Sequence, residues 1–203
     1  MCEKEVFPYN LDRLADFLFE AGMLRLVPRS GFAFLGTGSE NVAEHSYRAT
    51  VIGFILAKMA RADICKVMLL CLFHDLHEAR TGDFNYVNHR YNTANAKQAL
   101  TDALKDTGLS AFIMQLFAEF CAKQSMESRL AKDADQIDLL CNLRTELAKG
   151  NQSARKWIDS AVQRLLTPEG KKLAQAVLRA DPNKWWQHNI EDSWWIHHGE
   201  NNE

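Results

Sequence analysis

A histidine and an aspartate directly follow one of the most apolar segments of the chain. The segment Val67–Phe73 reads VMLLCLF, and His74 and Asp75 come next. A helix this apolar should be buried, and an unpaired charge at its buried end would be costly. We therefore expect both side chains to have partners. A divalent cation held between them would satisfy the imidazole and the carboxylate together.

Further nitrogen and oxygen donors lie elsewhere in the chain. His45 lies near the start of an amphipathic stretch, and Asp133, Asp135 and Asp138 cluster at the start of a segment that turns apolar at Leu139. One histidine, the His-Asp pair and one aspartate form a mixed donor set that suits Co, Mn, Mg, Zn or Fe and leaves positions for water and substrate. Each piece alone has an ordinary explanation as a helix-end polar residue or a solvated face. Spacing does not choose among the three aspartates.

These donors must be positioned by helices, because the apolar spacing is helical along most of the chain. A first helix should follow the capping residue Asn10, with Leu11, Leu14, Leu18 and Ala21 on one buried stripe. The same spacing predicts further helices over residues 42–61, 64–80, 96–104, 109–122, 128–147, 153–166 and 169–180. The sequence therefore predicts an all-α fold.

One internal segment breaks the helical pattern. Residues 26–41 contain one proline and three glycines and read as a loop or a short hairpin. Within this segment, Phe32–Leu35 is the one place where a short strand is a possibility.

The domain organisation follows from length and composition. We expect one domain over residues 1–182, with its core at about 10–150, and a separate C-terminal tail over residues 183–203. The tail is rich in tryptophan, and we expect these rings to pack against the core or against a subunit partner. They are Trp185, Trp186, Trp194 and Trp195.

Bulk composition argues against several classes of function. The formal net charge is -2 with both signs dispersed, so no basic block indicates nucleic-acid binding. Five cysteines with none at C-x-x-C spacing indicate free buried thiols in a reducing compartment. No signal-peptide core is visible, and the longest apolar run, Val67–Phe73, is too short to span a membrane. We expect a cytoplasmic protein that binds neither nucleic acid nor membrane.

Short ordered segments resemble the HD superfamily of metal-dependent phosphohydrolases, and within it the 5'-deoxynucleotidase-like branch. Ser39–Ser46 (SENVAEHS) is similar to the segment around that branch's first histidine. His74–Asp83 (HDLHEARTGD) resembles its H-D-x-x-E-x-x-T-G-D string, and Lys132–Asp135 (KDAD) resembles the segment of its last ligand. The similarity covers roughly residues 10–150 and implies a helical HD domain.

The resemblance implies a ligand set and a proton-handling residue. It implies that His45, His74, Asp75 and Asp135 bind one divalent ion, which selects Asp135 over its two neighbours. It also implies that Glu78 transfers a proton or orients the attacking water. If one helix continues through this segment, Glu78 lies four residues after His74 and on the same face.

Three further positions match residues that bind substrate in that branch. Asp83 matches an aspartate that contacts the sugar, Arg29 matches a loop arginine that meets the phosphate, and Phe32 lies near an aromatic residue that walls the sugar pocket. A guanidinium fork suits a phosphoryl group. Ungapped counting back from His45 reaches Ser30, so Arg29 requires a small shift, and the matched aromatic in the branch is a tryptophan.

The activity implied by the resemblance is hydrolysis of a (deoxy)nucleoside 5'-monophosphate to a nucleoside and phosphate. Two alternatives stay open: another HD hydrolase, such as a cyclic-nucleotide phosphodiesterase or a guanosine-tetraphosphate hydrolase, and a non-catalytic nucleotide sensor. Between Asp75 and Asp135 only His77 and His89 occur, both close to the His-Asp pair, which favours a single ion. We expect His77 to face solvent and the protein to form a homodimer, as HD proteins of this size often do.

Overall fold

The computed structural model describes residues 9–187 of the chain, and the regular structure in that range is helical. A single isolated antiparallel bridge joins Pro28 to Asn41, and no β-strand occurs within the described range. The all-α fold predicted from the sequence is confirmed. A 3-10 helix spans Met23–Leu26, and the α-helices are α1 (Leu11–Gly22), α2 (Phe32–Leu35), α3 (Val42–Ala60), α4 (Ile64–Phe73), α5 (Glu78–Thr81), α6 (Tyr86–Tyr91), α7 (Ala96–Leu104), α8 (Ser110–Ala122), α9 (Met126–Ala148), α10 (Ala154–Gln163), α11 (Pro168–Arg179) and α12 (Lys184–Gln187).

Polar caps fix the starts of the helices that carry the predicted ligands. At α3, the Asn41 side chain accepts from the Glu44 amide at 2.9 Å, and the Glu44 carboxylate accepts from the Asn41 amide at 3.1 Å. This reciprocal pair satisfies two amides that a helix start leaves free. At α4, the Asp63 side chain accepts from the Lys66 amide at 3.0 Å. The caps set the point along each helix at which its histidine lies.

The main core lies where α3, α4 and α9 pack on one another. Its fully buried side chains include Leu56 of α3, Leu70 of α4, and Ile137 and Leu140 of α9. Helices α10 and α11 also pack on α9 and add Ala154, Ile158, Ala161 and Ala174 to the same core. Because His45 and Asp135 lie on α3 and α9, and His74 and Asp75 directly follow α4, burial of this core also fixes the predicted ligands relative to one another.

The predicted stripe on α1 is wrong for two of its four residues. Leu11 and Leu18 are 74% and 71% exposed, whereas Phe17 is buried. The face that turns inward repeats every four residues at Arg13, Phe17 and Ala21. Arg13 fixes this face by donating to the carbonyl oxygens at the end of α7 and just after it.

The possible strand at Phe32–Leu35 is also wrong, because these residues form α2. The helix ends at Gly36, whose φ of 70° lies in the left-handed region that glycine adopts without strain. The Asn151 side chain donates to the Leu35 carbonyl at 2.8 Å and satisfies the end of this short helix. The remaining contacts of the loop are described with the site.

The structure tests part of what we expected of the C-terminal tryptophans and of the cysteines. Trp185 is 81% exposed, so it does not pack against the core of this chain. Trp194 and Trp195 lie outside the described residues, and packing against a subunit partner stays a prediction. Four cysteines of the described range are free, as predicted, but Cys65 and Cys121 are exposed, so the expectation of buried thiols is wrong for these two. No helix between residues 9 and 187 is both long and apolar enough to cross a bilayer.

Candidate metal centre and active site

Four of the predicted ligands meet at the junction of α3, α4 and α9. The Nε2 atoms of His45 and His74 lie 3.2 Å apart. Asp75 Oδ2 lies 3.0 Å from His74 Nε2 and 3.5 Å from His45 Nε2, and Asp135 Oδ1 lies 3.5 Å from His45 Nε2. Donor atoms that share one ion at about 2.1 Å stand roughly 3 to 3.5 Å apart. The spacing and the mixed nitrogen and oxygen set therefore fit a divalent cation.

Hydrogen bonds on the far side of each imidazole orient it toward this centre. His45 Nδ1 lies 2.7 Å from Asp138 Oδ2, and His74 Nδ1 lies 2.7 Å from the carbonyl oxygen of Cys71. Because a carbonyl oxygen accepts, His74 Nδ1 carries the proton, and the Asp138 carboxylate holds a proton on His45 Nδ1 in the same way. Both Nε2 lone pairs then face the centre, which is how ligating histidines are arranged.

Asp138 is a positioning residue that the sequence left only as a candidate ligand. Its carboxylate is buried, and its second oxygen accepts from Arg48 Nε at 2.5 Å. Arg48 Nη2 continues the network to Glu40 Oε1 at 2.7 Å. Burial first, and then repulsion from Asp138, raises the pKa of Glu40. The signal for Asp138 in the sequence is its position one helical turn after Asp135.

The third aspartate of the cluster has a structural role. Asp133 is buried and accepts from the amides of Leu166 and Thr167 at 2.7 and 2.8 Å, and from the Thr167 hydroxyl at 2.5 Å. It ties α9 to the start of α11. A Cβ on Gly170 would lie 2.2 Å from Asp133 Oδ2, so this contact requires glycine. Among the three aspartates, Asp135 is the one whose carboxylate lies on the Nε2 side of His45, at the proposed metal centre.

Electrostatics keep both ligand carboxylates ionised. Burial alone would raise the pKa of Asp75 and of Asp135. For Asp75 the nearby His74 and Arg29 outweigh burial, and for Asp135 Lys132 and the histidines do so; both pKa values are lowered. Ionised carboxylates beside imidazole nitrogens form a site that attracts cations.

Glu78 reaches the centre by a different route from the predicted one. The helix expected over residues 64–80 ends at Phe73 and restarts as α5 at Glu78. Between them the chain is tighter, with hydrogen bonds from the Leu76 amide to the Phe73 carbonyl and from the Glu78 amide to the Asp75 carbonyl, at 3.3 and 2.9 Å. The argument that placed Glu78 and His74 on one continuous helix face is therefore wrong. The tight turn nevertheless brings a Glu78 oxygen within 4.8 Å of an Asp75 oxygen.

The Glu78 carboxyl is buried, and one of its two oxygens lacks a hydrogen bond. It is 9% exposed, and its Oε2 has no hydrogen-bond partner within residues 9–187. Burial first, and then repulsion from Asp75 and Asp83, raises the pKa of Glu78 to about 10. A buried oxygen without a partner is costly in a purely structural residue. The arrangement can hold a proton next to the ligand carboxylates.

His77 does not face solvent, which corrects the expectation. It is half-buried, its ring meets Phe117 edge-on at a centroid distance of 5.5 Å, and its Nδ1 lies 3.2 Å from the Thr81 hydroxyl. Burial lowers the pKa of His77. The residue contacts the helix behind the site.

The loop after the 3-10 helix carries Arg29 toward the centre. The loop is tied back to the start of α3 by a hydrogen bond from the Arg29 amide to the Glu40 carbonyl at 2.9 Å. Arg29 Nη1 lies 3.0 Å from Asp83 Oδ2 and 3.4 Å from Asp75 Oδ2. Burial alone would lower the pKa of Arg29, but the surrounding carboxylates outweigh it and raise the pKa. Ser30, which ungapped counting selects, donates to Asp83 Oδ1 at 3.3 Å instead.

A cavity of about 630 Å³ adjoins the centre. Arg29 and Asp83 line it, together with aromatic side chains from three separate segments. Its volume falls in the usual range for small-molecule sites. Sequence reasoning identified Phe32 in this wall but missed the residues from α10, which lie beyond the matched motifs. The aromatic lining residues include Phe32, Phe34, Phe84, Tyr86 and Trp157.

Comparison with known proteins identifies the family. A profile described as HD domain matches residues 21–177. The 5'-deoxynucleotidase HDDC2 of Danio rerio is 27% identical over 136 residues, covering 64% of this chain and 68% of that protein. A 5'-deoxynucleotidase of Vibrio parahaemolyticus is 28% identical over 147 residues, covering 64% and 76%.

Solved structures agree with this match. A conserved hypothetical protein from Pyrococcus furiosus superposes with a TM-score of 0.67 at 25% identity, covering 82% of this chain and 99% of that one. The profile match extends over more than half of the chain and includes every residue of the four-ligand centre. The chain therefore belongs to the HD-domain family of metal-dependent phosphohydrolases.

Proposed function

We propose that the protein hydrolyses (deoxy)nucleoside 5'-monophosphates to a nucleoside and inorganic phosphate. The observation that carries the proposal is the meeting of four donor groups beside Glu78, together with Arg29, which contacts Asp75 and lines a cavity of about 630 Å³. The named relatives support the same substrate class, since two of them are 5'-deoxynucleotidases. The proposed metal ligands are His45, His74, Asp75 and Asp135.

The chemistry divides between the cation and the residues around it. A divalent ion bound by the four ligands would supply a Lewis acid for a phosphate oxygen and lower the pKa of nearby water. Arg29 donates to the non-bridging phosphate oxygens as their charge changes. Its guanidinium already lies 3.4 Å from the ligand Asp75, so a phosphate at the centre is within its reach.

Glu78 handles the proton in this proposal. Hydrolysis needs a group that takes a proton from the attacking water and returns one to the leaving 5'-oxygen. The Glu78 carboxyl lies beside the ligand carboxylates and keeps one oxygen free of protein partners in the described range. The raised pKa keeps a proton on Glu78 in the metal-free protein, and a bound cation would favour the ionised form that accepts a proton from water.

Asp83 and Phe32 bind the sugar in this proposal. Asp83 lies between Arg29 and Ser30, so it is oriented by two neighbours while keeping acceptor capacity for a sugar hydroxyl. Phe32 lines the cavity and packs against the main core, which gives the sugar a fixed apolar wall. An apolar wall discriminates weakly against one added hydroxyl, the group by which ribose differs from deoxyribose.

A non-catalytic sensor is the main alternative. A sensor needs the cation site and the cavity, but it does not need a buried carboxyl with an unsatisfied oxygen, which only costs stability. The position of Glu78 beside the centre therefore favours an enzyme. A homodimer in the cytoplasm stays a prediction, and light scattering would measure the number of subunits.

The direct test is phosphate release from a panel of deoxy and ribo 5'-monophosphates. Metal-stripped protein would receive Co, Mn, Mg, Zn or Fe(II), beside an Asp75→Asn variant. The matched control is Asp159→Asn, which removes an exposed carboxylate of α10 that does not line the cavity. We expect release that depends on metal, is lost in the Asp75 variant and is retained in the control. Folded, metal-loaded protein that releases no phosphate from any member of the panel would refute the proposal.

A further inference from the structure

One wall of the cavity comes from α10, outside the segments that resemble the nucleotidases. Trp157, Ser160 and Arg164 line this wall. Phe34 of α2 lies against Trp157, with ring centroids 6.4 Å apart and ring planes inclined by 60°. A Cβ on Gly31 would lie 3.4 Å from the Trp157 ring, so this ring packs closely on the loop that carries Arg29. We call Phe34, Trp157, Ser160 and Arg164 the α10 subsite.

The carboxylates that line the cavity are already ion-paired. Asp83 pairs with Arg29 at 3.0 Å, and Asp138 and Glu40 both pair with Arg48, at 2.5 and 2.7 Å. These ion pairs largely neutralise the carboxylates of the lining. Another cationic side chain in the wall therefore finds little negative charge to pair with. A positive group elsewhere in the wall is therefore available to a ligand.

Arg164 is such a group. Its Nε donates to Gln136 Oε1 at 2.5 Å, and Gln136 Nε2 donates to Asp135 Oδ2 at 3.2 Å. Within residues 9–187 it forms no ion pair, and its two Nη groups donate to no protein acceptor. One edge of the guanidinium is thus anchored to the residue beside a proposed metal ligand, while the other presents two parallel donors.

We propose that the α10 subsite binds the nucleobase and that Arg164 selects 6-oxopurines, guanine and hypoxanthine. This inference rests on the proposed function, because it requires a nucleotide whose phosphate lies at the metal centre. Two parallel donors match the adjacent O6 and N7 acceptors of guanine, whereas adenine presents an N6 donor at the same edge. Trp157 and Phe34 supply flat apolar surfaces for the ring.

The composition of the subsite favours a base over a second phosphate. A second phosphate would bring up to about two negative charges to a single unmatched arginine, beside aromatic carbon that cannot donate hydrogen bonds. A base brings acceptors without net charge and buries its faces on the aromatic rings. The same wall therefore fits a purine better than a bisphosphate.

The test measures binding and turnover of dGMP, dIMP and dAMP. Binding is titrated by calorimetry on the full chain with metal bound and with Glu78→Gln added to prevent turnover, and kcat/KM is measured separately on the chain that keeps Glu78. The proteins are wild type, Arg164→Ala, Arg164→Lys and the control Arg155→Ala, an exposed arginine of α10 that does not line the cavity. Lysine keeps the charge but loses the planar fork, so it separates base recognition from simple attraction of an anion.

We expect the wild type and Arg155→Ala to bind dGMP and dIMP about tenfold more tightly than dAMP, and both Arg164 variants to lower this ratio to within about twofold. Equal binding of the three nucleotides by wild type would overturn the proposal. So would full retention of the preference in Arg164→Lys, or an equal loss for all three nucleotides in Arg164→Ala. Base-selective binding without phosphate release would refute the proposed function and keep the subsite. Release without selectivity would keep the function and refute the subsite.

Discussion

At the residue scale, Glu78 carries an electrostatic cost that its neighbours do not relieve. Its carboxyl is buried, two further carboxylates lie nearby, and its pKa is raised to about 10 from an ordinary value of 4.5. Folded Glu78 therefore keeps its proton over a pH range in which the unfolded chain has lost it. Between these two pKa values the unfolded state binds fewer protons, so the stability of the metal-free protein falls as the pH rises.

Glu78→Gln should remove this pH dependence. The amide is neutral at every pH, so the variant in EDTA should be more stable than wild type above about pH 5. The difference should grow toward pH 8 by at most about 1.4 kcal/mol for each pH unit. Thermal unfolding followed by circular dichroism between pH 5 and 8 measures it. Melting temperatures that stay parallel across this range would show that Glu78 is ionised in the fold. Phosphate release should be lost in the same variant.

Asp138 acts through His45 rather than on the cation. It holds the Nδ1 proton at 2.7 Å and is itself held by Arg48 at 2.5 Å. Asp138→Asn keeps the shape but removes the charge that fixes the imidazole, so metal affinity should fall by about 10- to 100-fold. Competition with a chelating dye measures this, with Asp159→Asn as the control. Unchanged affinity in a folded variant would mean that packing alone orients His45.

At the element scale, local sequence rules account for the starts of α3 and α4. They do not account for the break that ends α4 at Phe73. The sequence predicts helices that begin at residues 42 and 64, and α3 and α4 begin there. Nothing in the apolar pattern marks the end of α4 at Phe73, because the pattern is set by burial, which continues to Leu76. The chain tightens at the His-Asp pair, where the side chains turn toward the site.

Gly170→Ala should destabilise the joint between α9 and α11. Alanine usually stabilises a helix by up to about 1 kcal/mol relative to glycine. Here the added methyl would lie 2.2 Å from Asp133 Oδ2 and would displace the carboxylate that caps Thr167. We expect a loss of about 1–3 kcal/mol in the free energy of unfolding. Gly22→Ala is the matched control, since nothing lies within 4 Å of its added methyl.

Urea denaturation of the two variants decides this point. The control should be as stable as wild type or slightly more stable. The Gly170 variant should unfold at a lower urea concentration, with an unchanged dependence of the unfolding free energy on urea. Equal midpoints for the two variants would show that α11 shifts away from α9 at little cost.

At the scale of the whole molecule, the sequence predicts the parts better than their assembly. The ordered motifs indicate the family and the all-α class, and they name His45, His74 and Asp75 before any distance is known. They do not indicate that Asp138 supports His45, because that contact spans 93 residues. They also miss the α10 wall, because Trp157 and Arg164 belong to no motif and acquire meaning only when α10 packs on α9.

The cation should stabilise the whole fold, because its proposed ligands come from the three helices of the central core. Its binding is then linked to folding by mass action, with a gain of about 2.7 kcal/mol at a concentration one hundred times Kd. For a domain of this size each kcal/mol raises Tm by roughly 2–4 °C. Metal-stripped wild type should therefore melt several degrees lower than protein loaded with its preferred ion.

Metal should raise the Tm of Asp75→Asn much less than that of wild type. It should raise the Tm of the control Asp159→Asn as much as that of wild type. The cation's charge also favours the ionised form of Glu78, so metal should flatten the pH dependence predicted for the stripped protein. Differential scanning calorimetry with Co, Mn, Mg, Zn or Fe(II) at pH 6 and pH 8 measures both effects. If no metal raises Tm at either pH, the four groups do not form a cation site. A rise that is identical in Asp75→Asn would locate the ion elsewhere on the protein.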